Sequence, residues 1–317
     1  MNSTPEPTIV VLTALDVEYA AVRALLRSPR VEHHQAGTLF EVGQTPNGQR
    51  TVVLARTGQG NQAAAVITER AITTFAPQAL LFVGVAGALD DDLESGDIVV
   101  ATKVYGYHGG KEEDSGFLTR PQAWEASYVL EELARHTSRL GAWTALVQDS
   151  PNAQQPQVHF KPVAAGEVVL NSRTTPLAAQ LHTTYNDAAA IEMESAGVAK
   201  AGHLNHNLPT LAIRGISDKA DGNKHTADKA GGQPIAAANA AAFAIALTET
   251  IPADGKRHTS NTEGAARGQK DPGPGATHPD TTVTDSDGSR AGKYRMLLRD
   301  NKGVQAGEHN TQHNTFN

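Results

Sequence analysis

Apolar runs too short to be helices, separated by segments of helical periodicity, constrain this chain more than any other feature. Thr8 to Leu15 is free of charge and reads as a buried strand, and Asp16 to Leu26 places Val17, Ala20, Ala21, Ala24 and Leu25 on one helical face. The pattern repeats. Thr51 to Ala55 is a strand, Gln62 to Phe75 a helix, and Ala79 to Val83 a buried strand ending at Gly84. Strand Asp97 to Tyr107, a helix across Trp124 to Thr137, strand Leu208 to Arg214 and a long Ala-rich helix from Pro234 to Glu249 follow. Strands this uniformly apolar are covered on both faces, so the expectation is an α/β fold with a central mixed sheet flanked by helices.

That expectation stops at residue 253. Asp254 to Gly292 contains no aromatic residue, no Leu, no Ile and one Val, among many Gly, Pro, Ser, Thr and Asp residues. Such a stretch buries too little apolar surface to offset its ordering entropy, and it reads as a disordered linker. Residues 293–317 form a distinct tail. Tyr294 to Leu298 restores hydrophobicity, and Val304, Ala306, Glu308, Asn310, Gln312, Asn314 and Phe316 share one parity of an extended strand. Asn and Gln at regular intervals stack into ladders when identical strands add in register. His309 and His313 stand at helical spacing, but the Asn, Thr and Gly around them form helices poorly, which argues against a zinc pair.

Composition excludes several function classes. There is no cysteine, so thiol chemistry and disulfides are out, and a reducing compartment fits. Met1 to Thr8 lacks the basic and apolar parts of a signal peptide, and no window approaches the ~20 apolar residues of a membrane span, so a cytoplasmic protein is expected. A net charge of −7 and a pI near 6.0 oppose nucleic acid or anionic membrane as partner and favour small molecules.

The candidate chemistry is carboxylate chemistry. Glu18, the Glu192-Met193-Glu194 run and Asp218 each follow an apolar strand or open a helix, where side chains face the crevice at the carboxyl edge of a sheet. Taken singly, such a carboxylate is an ordinary partner of the helix dipole. Gly84-Val-Ala-Gly87 adds a strand-end turn that lets another group approach the backbone. No second ligand at metal spacing accompanies His108, and Asp90-Asp-Asp92 reads as a solvated turn, so neither a metal nor a cofactor is expected.

In order and spacing, Gly84 to Gly87, Ala190-Ile-Glu-Met-Glu-Ser-Ala-Gly197 and Ile213-Arg-Gly-Ile-Ser-Asp218 resemble the purine nucleoside phosphorylase and methylthioadenosine/S-adenosylhomocysteine nucleosidase superfamily, over Thr8 to about Thr250. The resemblance implies that family's fold over residues 1–253. It also implies roles: Ala86 and Gly87 border the ribose, Met193 packs beside the sugar, and Glu194 holds the ribose hydroxyls. Asp218 of the Ser217-Asp218 pair protonates the purine at N7, Arg214 stands near the nucleophile, and Glu18 activates water as in the nucleosidase branch.

These residue types suit the reaction. Breaking a ribosyl C–N bond builds oxocarbenium character, for which two differently protonated carboxyl groups are useful. Gly166-Glu-Val-Val-Leu-Asn171 resembles the purine-binding segment through Val169 and Leu170, with valine where small bacterial nucleosidases carry a stacking phenylalanine. Tyr105 to Trp124 resembles the version of this domain fused to signalling receptors in fungi and bacteria, which is associated with nucleotide cleavage. Lys111 and Arg120 then become candidates to receive a phosphate, the alternative being surface salt bridges.

Gly303 to Phe316 resembles the bacterial amyloid signalling motifs of immune receptors and their effectors. That implies templating by a nucleotide-binding receptor with a matching motif, and the family implies a homo-oligomer. The function expected is an N-ribosyl hydrolase of a purine nucleoside or nucleotide, acting as an effector. The alternatives are a phosphorylase, a housekeeping nucleosidase and a catalytically silent signalling module.

Overall fold

The computed structural model describes residues 8–114, 116–147, 155–222 and 231–252. The expected linker and tail lie outside the described residues. Along the chain run β1 (Thr8–Thr13), α1 (Asp16–Ala24), β2 (Arg27–His33), β3 (Leu39–Gln44), β4 (Thr51–Arg56), α2 (Asn61–Phe75), β5 (Ala79–Ala88) and β6 (Ile98–Gly106). Then come β7 (Gly110–Glu113), β8 (Gly116–Thr119), β9 (Gln122–Glu125), α3 (Tyr128–Leu140), a 3-10 turn (Ala142–Leu146) and β10 (Val158–Ala165). The chain continues through α4 (Pro176–Thr184), β11 (Ala190–Glu192), α5 (Ser195–Leu204), β12 (Thr210–Asp218) and α6 (Gly232–Thr250).

Ten strands form one mixed sheet in the order β11-β10-β6-β12-β5-β1-β4-β3-β2, with β9 paired to β6. β1 lies parallel to β4 and β5, and β12 parallel to β5 but antiparallel to β6. β11 pairs with β10 on one side and, through Ala190 and Ile191, with Ala88 and Gly87 of β5 on the other. That last pairing closes β5, β12, β6, β10 and β11 into a ring, which draws the ends of β5, β11 and β12 together. Glu194 and Asp218 sit at those ends.

Both faces of the sheet are buried along β1, β5 and β12, which is why these strands are mainly apolar, with Arg214, Ser217 and Asp218 as buried polar exceptions on β12. One core contains Val10, Leu12, Phe82 and Ala212 with Ala64 and Ala71 of α2 and Val198 of α5. The other contains Ile9, Val11, Leu81 and Ile213 with Val22 of α1, Leu130 of α3 and Phe243 of α6. α6 is alanine-rich and apolar nearly all round, the signature of a helix enclosed by protein. It lies so close to β12 that a Cβ on Gly215 would come 2.0 Å from the Ala236 carbonyl oxygen. Backbone cannot yield there. Gly215→Ala is expected to cost about 1–3 kcal/mol as an overpacked site, read as a lower Tm in thermal unfolding; an unchanged Tm would contradict this packing.

Two sequence expectations are corrected, and strands β2 and β10 are added. The helix expected from Trp124 starts at Tyr128, because Gln122–Glu125 pairs antiparallel with β6, opposing Trp124 to Val104, and Ser127 in extended conformation becomes the helix N-cap. In α1, Ala20 and Ala24 are exposed while Glu18 and Val22 are buried, so the helix turns a carboxylate inward. The edge strand β2 is mostly exposed and shows no apolar alternation, and β10 contains Pro162 at a register shift; neither carried a strand pattern.

Candidate active site

A cleft of about 130 Å³ opens at the ends of β5, β11 and β12, lined by Glu18, Val85, Ala86, Gly87, Glu194 and Asp218. Val169, Leu170, Met193 and Ser217 also line it, as do Gln59 and Glu192. Carboxylates from three separate elements therefore converge there. A larger concavity of about 450 Å³, walled by Trp124, Val198 and Leu208, contributes one carboxylate among its lining residues, Glu125, which is ion-paired to Lys103. The smaller cleft is where acid and base chemistry is possible.

Glu18 is 2% exposed and is fixed by backbone amides. Its Oε2 accepts from the Ala14 and Leu15 amides, both at 2.8 Å, and its Oε1 from the Val85 amide at 2.8 Å. Three donors aimed at two oxygens fit a carboxylate. Burial pushes its pKa above the usual carboxylate range, against the opposing pull of the Arg214 guanidinium and the three amides.

Arg214 is fully buried on β12. Its Nη2 donates to Glu192 Oε2 at 2.5 Å and to Ser195 Oγ at 2.8 Å, and its guanidinium lies over the Phe82 ring, 4.1 Å from the centroid. Gly84 makes this arrangement possible. A Cβ there would fall 2.2 Å from Arg214 Nη1 and 2.6 Å from Glu18 Oε1, so the glycine admits the protein's own charged groups. Glu192 stood in sequence only as one half of an acidic pair. In the structure it neutralises Arg214 and accepts from the Glu194 and Ser195 amides, fixing the start of α5.

Glu194 occupies the N-cap position of α5, and its Oε1 accepts from the Gly60 amide at 3.0 Å. Burial first, and the Glu192 carboxylate second, push its pKa up to about 7, opposed by Arg214 and the Gly60 amide. Asp218 is placed by a bulge: β12 shifts register against β5 between Ile216 and Asp218, bringing Asp218 opposite Gly87. A Cβ on Gly87 would lie 3.1 Å from Asp218 Oδ1. Ser217 Oγ donates to Asp218 Oδ2 at 2.8 Å, and the Ala220 amide to Oδ1 at 3.0 Å.

Sequence reasoning also passed over Gly58-Gln-Gly60, where two left-handed glycines between β4 and α2 bring Gln59 into the cleft and the Gly60 amide to Glu194. The signal, Gly-x-Gly between a strand and a helix, was present in the sequence. Lys111 and Arg120 are not among the cleft residues. Lys111 lies on the exposed strand β7, paired with Glu113, and the Arg120 amide donates to Gly109. In this arrangement the hairpin is a surface feature, and Lys111 is met locally by Glu113.

In the Asp90–Asp92 turn, Asp90 is paired with Lys161 and Asp91 with Arg173, and no metal-holding group of three His, Asp or Glu side chains occurs among the described residues. His108 Nδ1 accepts from the Glu167 amide at 2.9 Å. No helix among the described residues is long and apolar enough to cross a membrane.

The model of the phosphorylase superfamily matches residues 8–249. The chain belongs to that superfamily. Within it, a 5'-methylthioadenosine/S-adenosylhomocysteine nucleosidase of Maridesulfovibrio salexigens is 29% identical over 247 residues, 77% of this chain and 99% of that protein. ATP nucleosidase Cap17 of Escherichia coli is 28% identical over 243 residues, 70% of this chain but 48% of that protein. Among solved structures, the 5'-methylthioadenosine/S-adenosylhomocysteine nucleosidase of Neisseria meningitidis in complex with methylthio-immucillin-A superposes with a TM-score of 0.65 at 22% identity, covering 77% of this chain and 99% of that one. Futalosine hydrolase of Helicobacter pylori gives 0.63 at 22% identity, covering 77% and 98%. These two structures share the fold.

Proposed function

We propose that the cleft hydrolyses the N-glycosidic bond of a purine nucleoside or nucleotide, with water as the nucleophile. The observation that carries this reading is the buried Glu18 carboxylate, held by three amides beside the other two carboxylates. Membership of the superfamily, together with nucleosidase relatives, makes the chain an N-glycosyl hydrolase. In the proposed reaction Glu18 orients a water below the sugar and takes its proton as the C–N bond lengthens. Burial raises its pKa, which makes the ionised carboxylate a stronger base. Glu194 accepts from the ribose hydroxyls, Met193 packs beside the sugar, and Asp218 gives its proton to the departing purine. Val168, Val169 and Leu170 offer an apolar edge to the base. Phosphorolysis would need cations that reach the cleft, whereas Arg214 is fully buried with Nη2 committed to Glu192, and no Lys, Arg or His lines the cleft among the described residues.

Glu194 is required here as an ionised acceptor, and its pKa stands near 7. The sign follows: protonation removes the charged acceptor, so kcat/KM should fall as pH drops below about 7. Glu194→Gln should remove its share of that limb, leaving only the part set by the ionisation of Glu18. A flat profile between pH 5.5 and 8 in the wild type would contradict the role.

The likeness to ATP nucleosidase Cap17 and the sequence of the tail support a finer reading, in which a nucleotide is cleaved by an effector whose tail is templated by a receptor. Chromatography over a purine panel with and without 5'-phosphates tests both levels. Free base from any member is expected, with nucleotides preferred; preference for methylthioadenosine would favour the housekeeping reading, and no base from any member would overturn the hydrolase. For the tail, the peptide Tyr294 to Asn317 should form thioflavin-positive fibres with a repeat of about 4.8 Å. A peptide that stays monomeric and ignores seeds would remove the amyloid reading and leave the enzyme untouched.

A further inference from the structure

Asn61, the first residue of α2, commits both polar groups of its side chain to other elements. Its Nδ2 donates to the Gly166 carbonyl at 2.8 Å and to Glu167 Oε1 at 3.0 Å, while its Oδ1 accepts from the Gly197 amide at 2.9 Å. One amide nitrogen carries two hydrogens, so both donations can be made together. The contacts reach two segments that shape the cleft from different sides: 166–170, which bears Val168, Val169 and Leu170, and the first turn of α5, whose N-cap is Glu194.

We propose that Asn61 is a positioning residue that clasps the base-side segment 166–170 to the helix start carrying Glu194, holding base and ribose in one fixed relation. This rests on reading the cleft as a nucleosidase site. The Glu194 side chain turns away from α5 to the Gly60 amide, and the Gly197 amide in the first turn, which also donates to the Glu194 carbonyl at 3.0 Å, is met by Asn61 Oδ1 from another element. The close approach is built into the chain, since a Cβ on Gly197 would fall 1.9 Å from the Asn61 carbonyl oxygen. On the opposite side, Glu167 Oε1 also accepts from the Asn61 amide at 3.3 Å, so backbone and side chain of one residue grip the same carboxylate. Because Asn61 follows Gly60 directly, any displacement of Asn61 also moves the amide that Glu194 accepts from.

The test is a pair of variants. Asn61→Asp keeps the acceptor for Gly197 but loses both donors and sets a second carboxylate against Glu167. A misplaced site should lower kcat/KM by roughly tenfold to a hundredfold, through both KM and kcat, and shift its rising limb to higher pH as Glu194 loses the Gly60 amide. Adding Glu167→Gln restores the bond with reversed polarity, since the new amide donates to the new carboxylate, and should recover activity several-fold. A role confined to stability would lower Tm without moving the pH limb, and Glu167→Gln would rescue nothing. Amide hydrogen exchange provides a readout independent of catalysis: in Asn61→Asp, protection should fall together at 58–61, 166–170 and 194–198. Faster exchange in one segment alone, or no recovery in the double variant, overturns the clasp. Absence of base release by the wild type would instead count against the hydrolase reading, leaving the exchange result to judge the clasp.

Discussion

Asp218→Asn is expected to slow base release by on the order of 10² to 10⁴, the range for removing a general acid. The asparagine fills the same volume opposite Gly87, its oxygen can still accept from the Ala220 amide while its NH₂ donates to a Ser217 hydroxyl turned to accept, and Tm should stay within a few degrees. What it cannot do is give a proton to the leaving purine. The loss should therefore be smaller for substrates whose base leaves readily without protonation, and this dependence separates a lost acid from a distorted site. Near-normal turnover on all purines would remove Asp218 from the reaction.

Glu18→Gln should produce a loss of similar size for a different reason. Three backbone amides point at the two oxygens of Glu18, and a carboxamide offers only one oxygen to them. Whichever way the amide is turned, at least one buried N–H meets an NH₂ group, which costs about 1–3 kcal/mol of stability in addition to the lost base. The rate must then be measured on folded protein, after thermal unfolding has established the temperature range in which the variant is native. Under those conditions a drop of at least ~10² is expected. Full activity in a folded Glu18→Gln would reduce the residue to an anchor for the loop between β1 and α1.

Much of this site could be read from sequence because strand ends are easy to see. Apolar runs locate β1, β5 and β12, and the acidic or small residues just beyond them fall at the cleft once those strands lie side by side. Glu18 was legible as a candidate, yet its burial was not: a helical pattern built on apolar residues put Val17 and Ala20 inward, whereas three amide donors draw the carboxylate in. The partner of Arg214 was hidden for a similar reason. Glu192 and Glu194 are two residues apart and chemically identical, and only the pairing of β11 with both β10 and β5 sends one to the arginine and the other to the cleft. Long-range contacts of this kind leave no local periodicity. The hairpin of β7 and β8 shows the converse: Lys111 is drawn to Glu113 two residues away, a local pairing of the kind the sequence left open beside a phosphate role.

Hydrolysis by a carboxylate-held water is tested most directly by product analysis on a purine substrate in buffer free of phosphate, repeated with phosphate added. Free base together with free ribose, or its 5'-phosphate when the substrate carries one, is expected at equal rates in both buffers. Base release that requires phosphate, with a ribose 1-phosphate as the other product, would contradict it.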